Sequence, residues 1–140
     1  MRLLIDTNVL MDVLVGREPF LRDSRHVVAI CKERKAQGFL AAHTMTNLFY
    51  ILRKYYAAEE CRDILLDLLD IFSIMAIDGE KIKTALRNTR FKDFEDCLQM
   101  ECGQEAAVDY IVTRNTKDFA NSEIPCLTPN EACAMFPPEA

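Results

Sequence analysis

Three short stretches hold the residues with chemistry to offer. "LLIDTNVLMD", residues 3–12, ends an apolar run in a carboxylate, Asp6, with Thr7 and Asn8 behind it. "DFED", residues 93–96, sets Asp93 and Asp96 three apart, on one side of a helix at its first turn. "TRNTKDF", residues 113–119, follows the apolar "DYIV" and carries Asn115, Lys117 and Asp118. Clustered carboxylates repel one another and raise each other's pKa. Such a cluster makes chemical sense when a divalent cation occupies it, and hard oxygen donors suit magnesium or manganese. A cation of that kind activates water and stabilises charge on a phosphodiester during in-line attack, which is nuclease chemistry.

Each residue also has a purely structural use. Asp6 can cap a helix that begins at Thr7 or Asn8. Asp93 is well placed as an N-cap, with Asp96 in the first turn where it favours the helix dipole, and for Asp93 the cap outweighs the metal role. Asn115 and Asp118 are ordinary loop residues by type, and Arg114 and Lys117 read at least as well as solvated loop charges. Convergence on one edge gives the set its force, so the elements that position these residues decide the matter.

Strand and helix signals alternate along the chain. Residues 3–5 read as a buried strand, 8–14 as a short helix broken at Gly16, and 22–37 as a helix stopped by Gly38. A short strand is predicted over 39–42. The next helix, capped by Thr44 or Thr46, carries Leu48, Ile51, Leu52 and Tyr55 at helical spacing. Another helix spans 59–71, residues 72–77 are β-like, and Asp78 or Gly79 opens a helix to about residue 86. A helix over 93–105, strands over 109–113 and 124–127, and a helix opened by Thr128 and Pro129 complete the pattern. Such alternation predicts a three-layer α/β/α fold with a central parallel sheet, one domain over residues 1–140. Ligands of these sheets bind outside the carboxyl ends of the strands, where Asp6 and "TRN" fall.

Composition narrows the partners. The 140 residues are half apolar, with a formal charge of −5. A nucleic-acid partner would therefore need a local basic stripe, a metal ion or a basic protein partner. No apolar run approaches the roughly 20 residues of a membrane span, and the N-terminus lacks a signal-peptide pattern. A cytoplasmic protein without membrane contact is expected. The six cysteines form no C-x-x-C pair and mostly fall in apolar patterns, which predicts buried free thiols rather than metal ligands. With His26 and His43 the only histidines, no zinc site is expected. The aromatic stretch "NLFYILRKYYA", residues 47–57, spans more than one helix face, so core packing accounts for some of it and a protein interface for the rest.

Over almost its whole length the chain resembles the PIN-domain family, metal-dependent ribonucleases that include the VapC toxins of bacterial toxin–antitoxin pairs. "LLIDTNVLMD" is similar to the family's opening motif, whose first aspartate is a metal ligand and maps to Asp6. "DFEDCLQMECGQEAAVDYIVTRNTKDF", residues 93–119, is similar to its second half. The family's central acid falls there on Asp96, and "T-R-N…D-F" matches the fourth-acid loop. Two positions depart from the pattern. Asn47, in "TMTNLFYILRK", stands where the family commonly has a glutamate, and Asn115 stands at the fourth-acid position, with Asp118 three residues on. An asparagine oxygen can ligate magnesium but brings no charge, which lowers metal affinity.

The resemblance implies an endoribonuclease dependent on Mg2+ or Mn2+, of a toxin-like kind. Asp6 and Asp96 would hold the cation, Asp118 would be a third ligand and Asp93 a reserve. Asn47 and Asn115 would orient the cation or its waters. Thr7, Asn8 and Thr113 would contact carboxylates or phosphate oxygens, and Arg114 and Lys117 would meet the RNA backbone. The partners implied are RNA, an antitoxin protein and a second copy of the chain. A second reading is a catalytically weak or inactive PIN-fold module that binds RNA or a protein partner, motivated by the two asparagines. A phosphotransfer receiver or phosphatase-like domain would also place acids at strand ends, but it wants a nucleophilic aspartate at one strand end and a lysine at another, a pairing that does not stand out in this sequence.

Overall fold

A computed structural model describes residues 1–137. Strand β1 (Arg2–Ile5) runs through the middle of a five-stranded sheet. On one side lie β2 (Gln37–Ala41) and then β3 (Phe72–Met75); on the other lie β4 (Tyr110–Val112) and then β5 (Cys126–Leu127). Every neighbouring pair is parallel. A strand covered on both faces must be apolar on both, and Leu3, Leu4 and Ile5 are each at most 1% exposed.

Alternation of side chains across β1 sorts the helices into layers. Leu3 and Ile5 face one core with α1 (Thr7–Val15), α2 (Leu21–Lys32), α3 (Ala42–Leu52), α4 (Ala58–Ile71) and α7 (Pro129–Met135). Leu4 faces the other core with α5 (Gly79–Arg87) and α6 (Phe94–Glu105). The expected three-layer α/β/α architecture is the one observed. From β1 the chain builds outward to β2 and β3, then crosses back to place β4 on the opposite side. The strand order thus reverses between β1 and β4, and the crevice beyond their carboxyl ends is the natural ligand position.

Local details differ from the sequence reading where packing overrides propensity. Helix α2 stops at Lys32 rather than near residue 37, and the chain turns through Arg34 at φ 61°. Gly38 is no helix stop; it lies inside β2, where a Cβ would stand 2.6 Å from the Phe72 ring and 2.8 Å from Cys31 Sγ. Helix α3 starts at Ala42 without a side-chain cap. Thr44 is fully buried, and the Thr46 hydroxyl donates to the His43 carbonyl instead. Residues 116–119 of the predicted loop form a single 3-10 turn (Thr116–Phe119). All six cysteines are free thiols, four of them buried, and burial pushes the Cys31 thiol up to about 12. Among the described residues, no helix is long and apolar enough to cross a membrane.

Candidate functional site

Asp6 follows β1 immediately and is 7% exposed. It does cap α1: Oδ1 accepts from the Thr7 N–H at 2.7 Å. Oδ1 also accepts from Gln99 Nε2 at 2.8 Å. Oδ2 accepts from the Thr113 hydroxyl at 2.7 Å and from Asn8 Nδ2 at 3.1 Å. A carboxylate this deep persists because each oxygen is hydrogen-bonded. Thr113 arrives directly behind β4, and the pairing of Ile5 with Val112 brings the two strand ends level. Register, then, carries a hydroxyl from residue 113 to a carboxylate at residue 6.

The acids of α6 approach from the other layer. Asp93 caps α6, its Oδ1 accepting from the Asp96 N–H at 3.0 Å, so the expected capping role is present. Asp96 projects into the same crevice, and its carboxyl is pushed up from 3.8 to about 7. Burial is the largest cause, followed by the negative charges of Asp6, Asp93, Asp118 and Glu95. Asp6, Asp93, Asp96 and Asp118 line one open cleft of about 500 Å3 together with Asn47 and Asn115. The structure thus brings together every acidic and amide residue singled out from the sequence. Thr7 and Asn8 line the cleft as well.

Three of the residues expected at nucleic acid have internal duties. Thr113 is fully buried and Asn8 half-buried, and their polar groups serve Asp6. Arg114 points away: its Nε donates to the fully buried Asp12 at 2.8 Å, and its guanidinium lies 3.9 Å over the Phe20 ring. The Asp12 carboxylate, which has no access to water, holds that cation in place, so Arg114 ties α1 to the β4 loop. Lys117 remains exposed, in a groove that also holds Arg90 and Lys92 and shares Asp93 and Asp118 with the cleft.

The sequence model of the PIN domain family matches residues 2–117. The chain belongs to the PIN domain family. Among solved structures, this PIN domain is similar to a toxin–antitoxin complex from Klebsiella pneumoniae, with 26% identity and a TM-score of 0.68 over 90% of this chain and 96% of that one. It also shares its fold with VapBC2 from Rickettsia felis bound to a promoter DNA fragment, at 14% identity and a TM-score of 0.68 over 91% of this chain and 98% of that one. VapBC-1 from nontypeable Haemophilus influenzae gives 12% identity and a TM-score of 0.67 over 93% and 99%. No curated protein matches it in sequence.

Does this PIN domain's donor set suit the divalent cation that the family implies? The cleft offers carboxylate and amide oxygens, the hard ligands of magnesium and manganese. Burial first, and then the negative charges of its neighbours, push the Asp96 carboxyl up to about 7, and Gln99 Oε1 is buried without a partner. Both observations fit. Among the described residues, no three acidic, histidine or cysteine side chains stand close enough to hold one ion together. Such an ion would keep several waters, as magnesium commonly does with one or two carboxylates.

Sequence reasoning missed Glu95, Gln99, His43 and Asp12. Glu95 accepts from Asn47 Nδ2 at 3.3 Å, which sets a carboxylate beside Asn47. His43 Nε2 donates to the Glu95 carbonyl at 3.2 Å, and burial pushes its pKa down. Signals existed for two of the four. Gln99 lies three residues beyond Asp96, on the same helix face, and Asp12 interrupts an apolar run one turn after Asn8.

Proposed function

We propose that this PIN domain is an endoribonuclease dependent on Mg2+ or Mn2+, acting as the toxin of a toxin–antitoxin pair. The observation that carries the reading is the Asp96 carboxyl, raised to about 7 beside four other carboxylates in one cleft. Burial is the larger cause of that shift, and the crowding of Asp6, Asp93, Glu95 and Asp118 around Asp96 in the cleft is the part that favours a cation. When bound, the cation supplies water activation and charge stabilisation for in-line attack on a phosphodiester. Asp6 would hold it from β1 and Asp96 from α6, with Asp118, on the loop after β4, as a third partner reached through the ion's waters and Asp93 in reserve. Four hydrogen bonds fix the Asp6 carboxylate, so its oxygens are oriented in advance. Asn47 and Asn115 orient waters at the rim. The exposed Lys117, with Arg90 and Lys92 in the adjoining groove, supplies the local basic stripe that a chain of charge −5 needs to meet RNA phosphates.

Cleavage of RNA with magnesium or manganese tests the reading, repeated with Asp6→Ala and Asp96→Ala. Activity that survives both substitutions rules it out. A second reading, a catalytically weak module that binds RNA or protein, draws support from the neutral Asn47 and Asn115 in the cleft. Calorimetry separates the two, since absence of magnesium binding at millimolar concentration favours the module. The antitoxin partner rests on the Klebsiella and VapBC complexes that share the fold, and the second copy on the exposed Tyr50 and Tyr55. Co-expression with the product of a neighbouring gene, read out by co-purification and by light scattering, checks both.

A further inference from the structure

Gln99 sits on α6 among apolar residues, 3% exposed. Its Nε2 donates to Asp6 Oδ1 at 2.8 Å, while its Oε1 is buried with no partner. A carboxylate offers about four acceptor positions, and all four of Asp6's are taken. Any cation that reaches Asp6 must therefore displace a donor. Three of the four are tied down elsewhere. The Thr7 N–H belongs to the first turn of α1. The Asn8 side chain also accepts from the Arg114 N–H, and the Thr113 hydroxyl from the Asn115 N–H. The Gln99 amide has no second tie among the described residues.

We propose that Gln99 is the cation-responsive residue of this site: its amide caps Asp6 and turns over when a divalent cation binds, presenting Oε1 to the ion or its water. The inference rests on the proposed function and gives a role to a residue that the sequence reading passed over. A half-turn about the last side-chain torsion exchanges the two atoms within the same volume, so the surrounding core does not move. The oxygen then stands where the nitrogen stood, 2.8 Å from Asp6 Oδ1. Neighbouring vertices of a magnesium octahedron with bonds of 2.0–2.1 Å are about 2.9 Å apart. The vacated geometry matches one edge of that octahedron. Without a cation the turned amide would set two oxygens face to face, so the turn and the binding are coupled.

The test follows Mn2+ binding by electron paramagnetic resonance for wild type, Gln99→Met, Gln99→Glu and Asp6→Asn. Magnesium titrations of the 15N-labelled protein are read at the Gln99 side-chain amide, assigned by its loss in Gln99→Met. The expected result is about tenfold weaker Mn2+ binding in Gln99→Met and about tenfold tighter binding in Gln99→Glu. Gln99→Glu should also unfold at a lower temperature without metal, because it sets a like charge against Asp6. The wild-type amide signals should move as magnesium saturates the site. If Gln99→Met binds as tightly as wild type or more tightly, Gln99 is only a competitor and the inference is overturned, as it is by amide signals that stay put at saturation. Folded wild-type protein that binds no Mn2+ would remove the proposed function itself, and this inference with it.

Discussion

Replacing Asp96 by asparagine tests the electrostatics of the cleft without requiring any substrate. Asparagine keeps the shape of the side chain and removes its charge. The Asp96 carboxyl titrates near 7 in the folded protein against an ordinary 3.8. Between those values the folded state holds a proton that the unfolded chain has released, so this group's contribution to stability declines as pH rises through the window. Above about pH 7 the penalty is complete; below about pH 4 it is absent. At about 1.4 kcal/mol per pH unit the gap corresponds to about 4 kcal/mol in full, and partial solvent access halves it to about 2 kcal/mol. Asp96→Asn should therefore stabilise the protein by about 2 kcal/mol at pH 8, raising its melting temperature by roughly 6 °C, and should change little at pH 4. The assay is thermal and urea unfolding in EDTA from pH 4 to pH 8, always as the difference between variant and wild type. Added magnesium should reverse the order by stabilising only the wild type. A variant no more stable than wild type at pH 8, or one that gains equally at both extremes, would refute the argument that Asp96 carries an uncompensated charge.

Proton and cation compete for Asp96, so below about pH 7 the apparent magnesium affinity should fall about tenfold per pH unit, measured by calorimetry across buffers. Arg114→Met leaves the fully buried Asp12 without its cation and should cost about 3–5 kcal/mol in urea unfolding; a loss under about 1 kcal/mol would mean the pair is dispensable. Gly38→Ala drives a methyl into the Phe72 ring and Cys31 Sγ and should cost about 1–3 kcal/mol, which denaturant midpoints will report. Lys117→Ala should weaken RNA binding similarly for all sequences and reduce the salt slope of affinity by about 1.

Much of this protein is legible in the order of its residues. The apolar run of β1 ending in Asp6, the acids bracketing the start of α6, and "DYIV" running into "TRN" are local patterns, and strand–helix alternation leaves few ways to stack them. Asp93 as a cap and Gly16 as the left-handed end of α1 follow from short-range geometry, which sequence encodes directly. Other features are relations between distant segments. Nothing near Gly38 announces that Phe72 will press against it. Arg114 looks like a loop charge until folding brings it to Asp12, 102 residues earlier. Glu95 becomes a neighbour of Asn47 only when α3 and α6 meet across the sheet's edge. Sequence alone determined which side chains can ionise and which apolar runs form strands. Tertiary structure alone decided which of those charges are buried together, because burial and Coulomb energy depend on distance in space and not on distance along the chain.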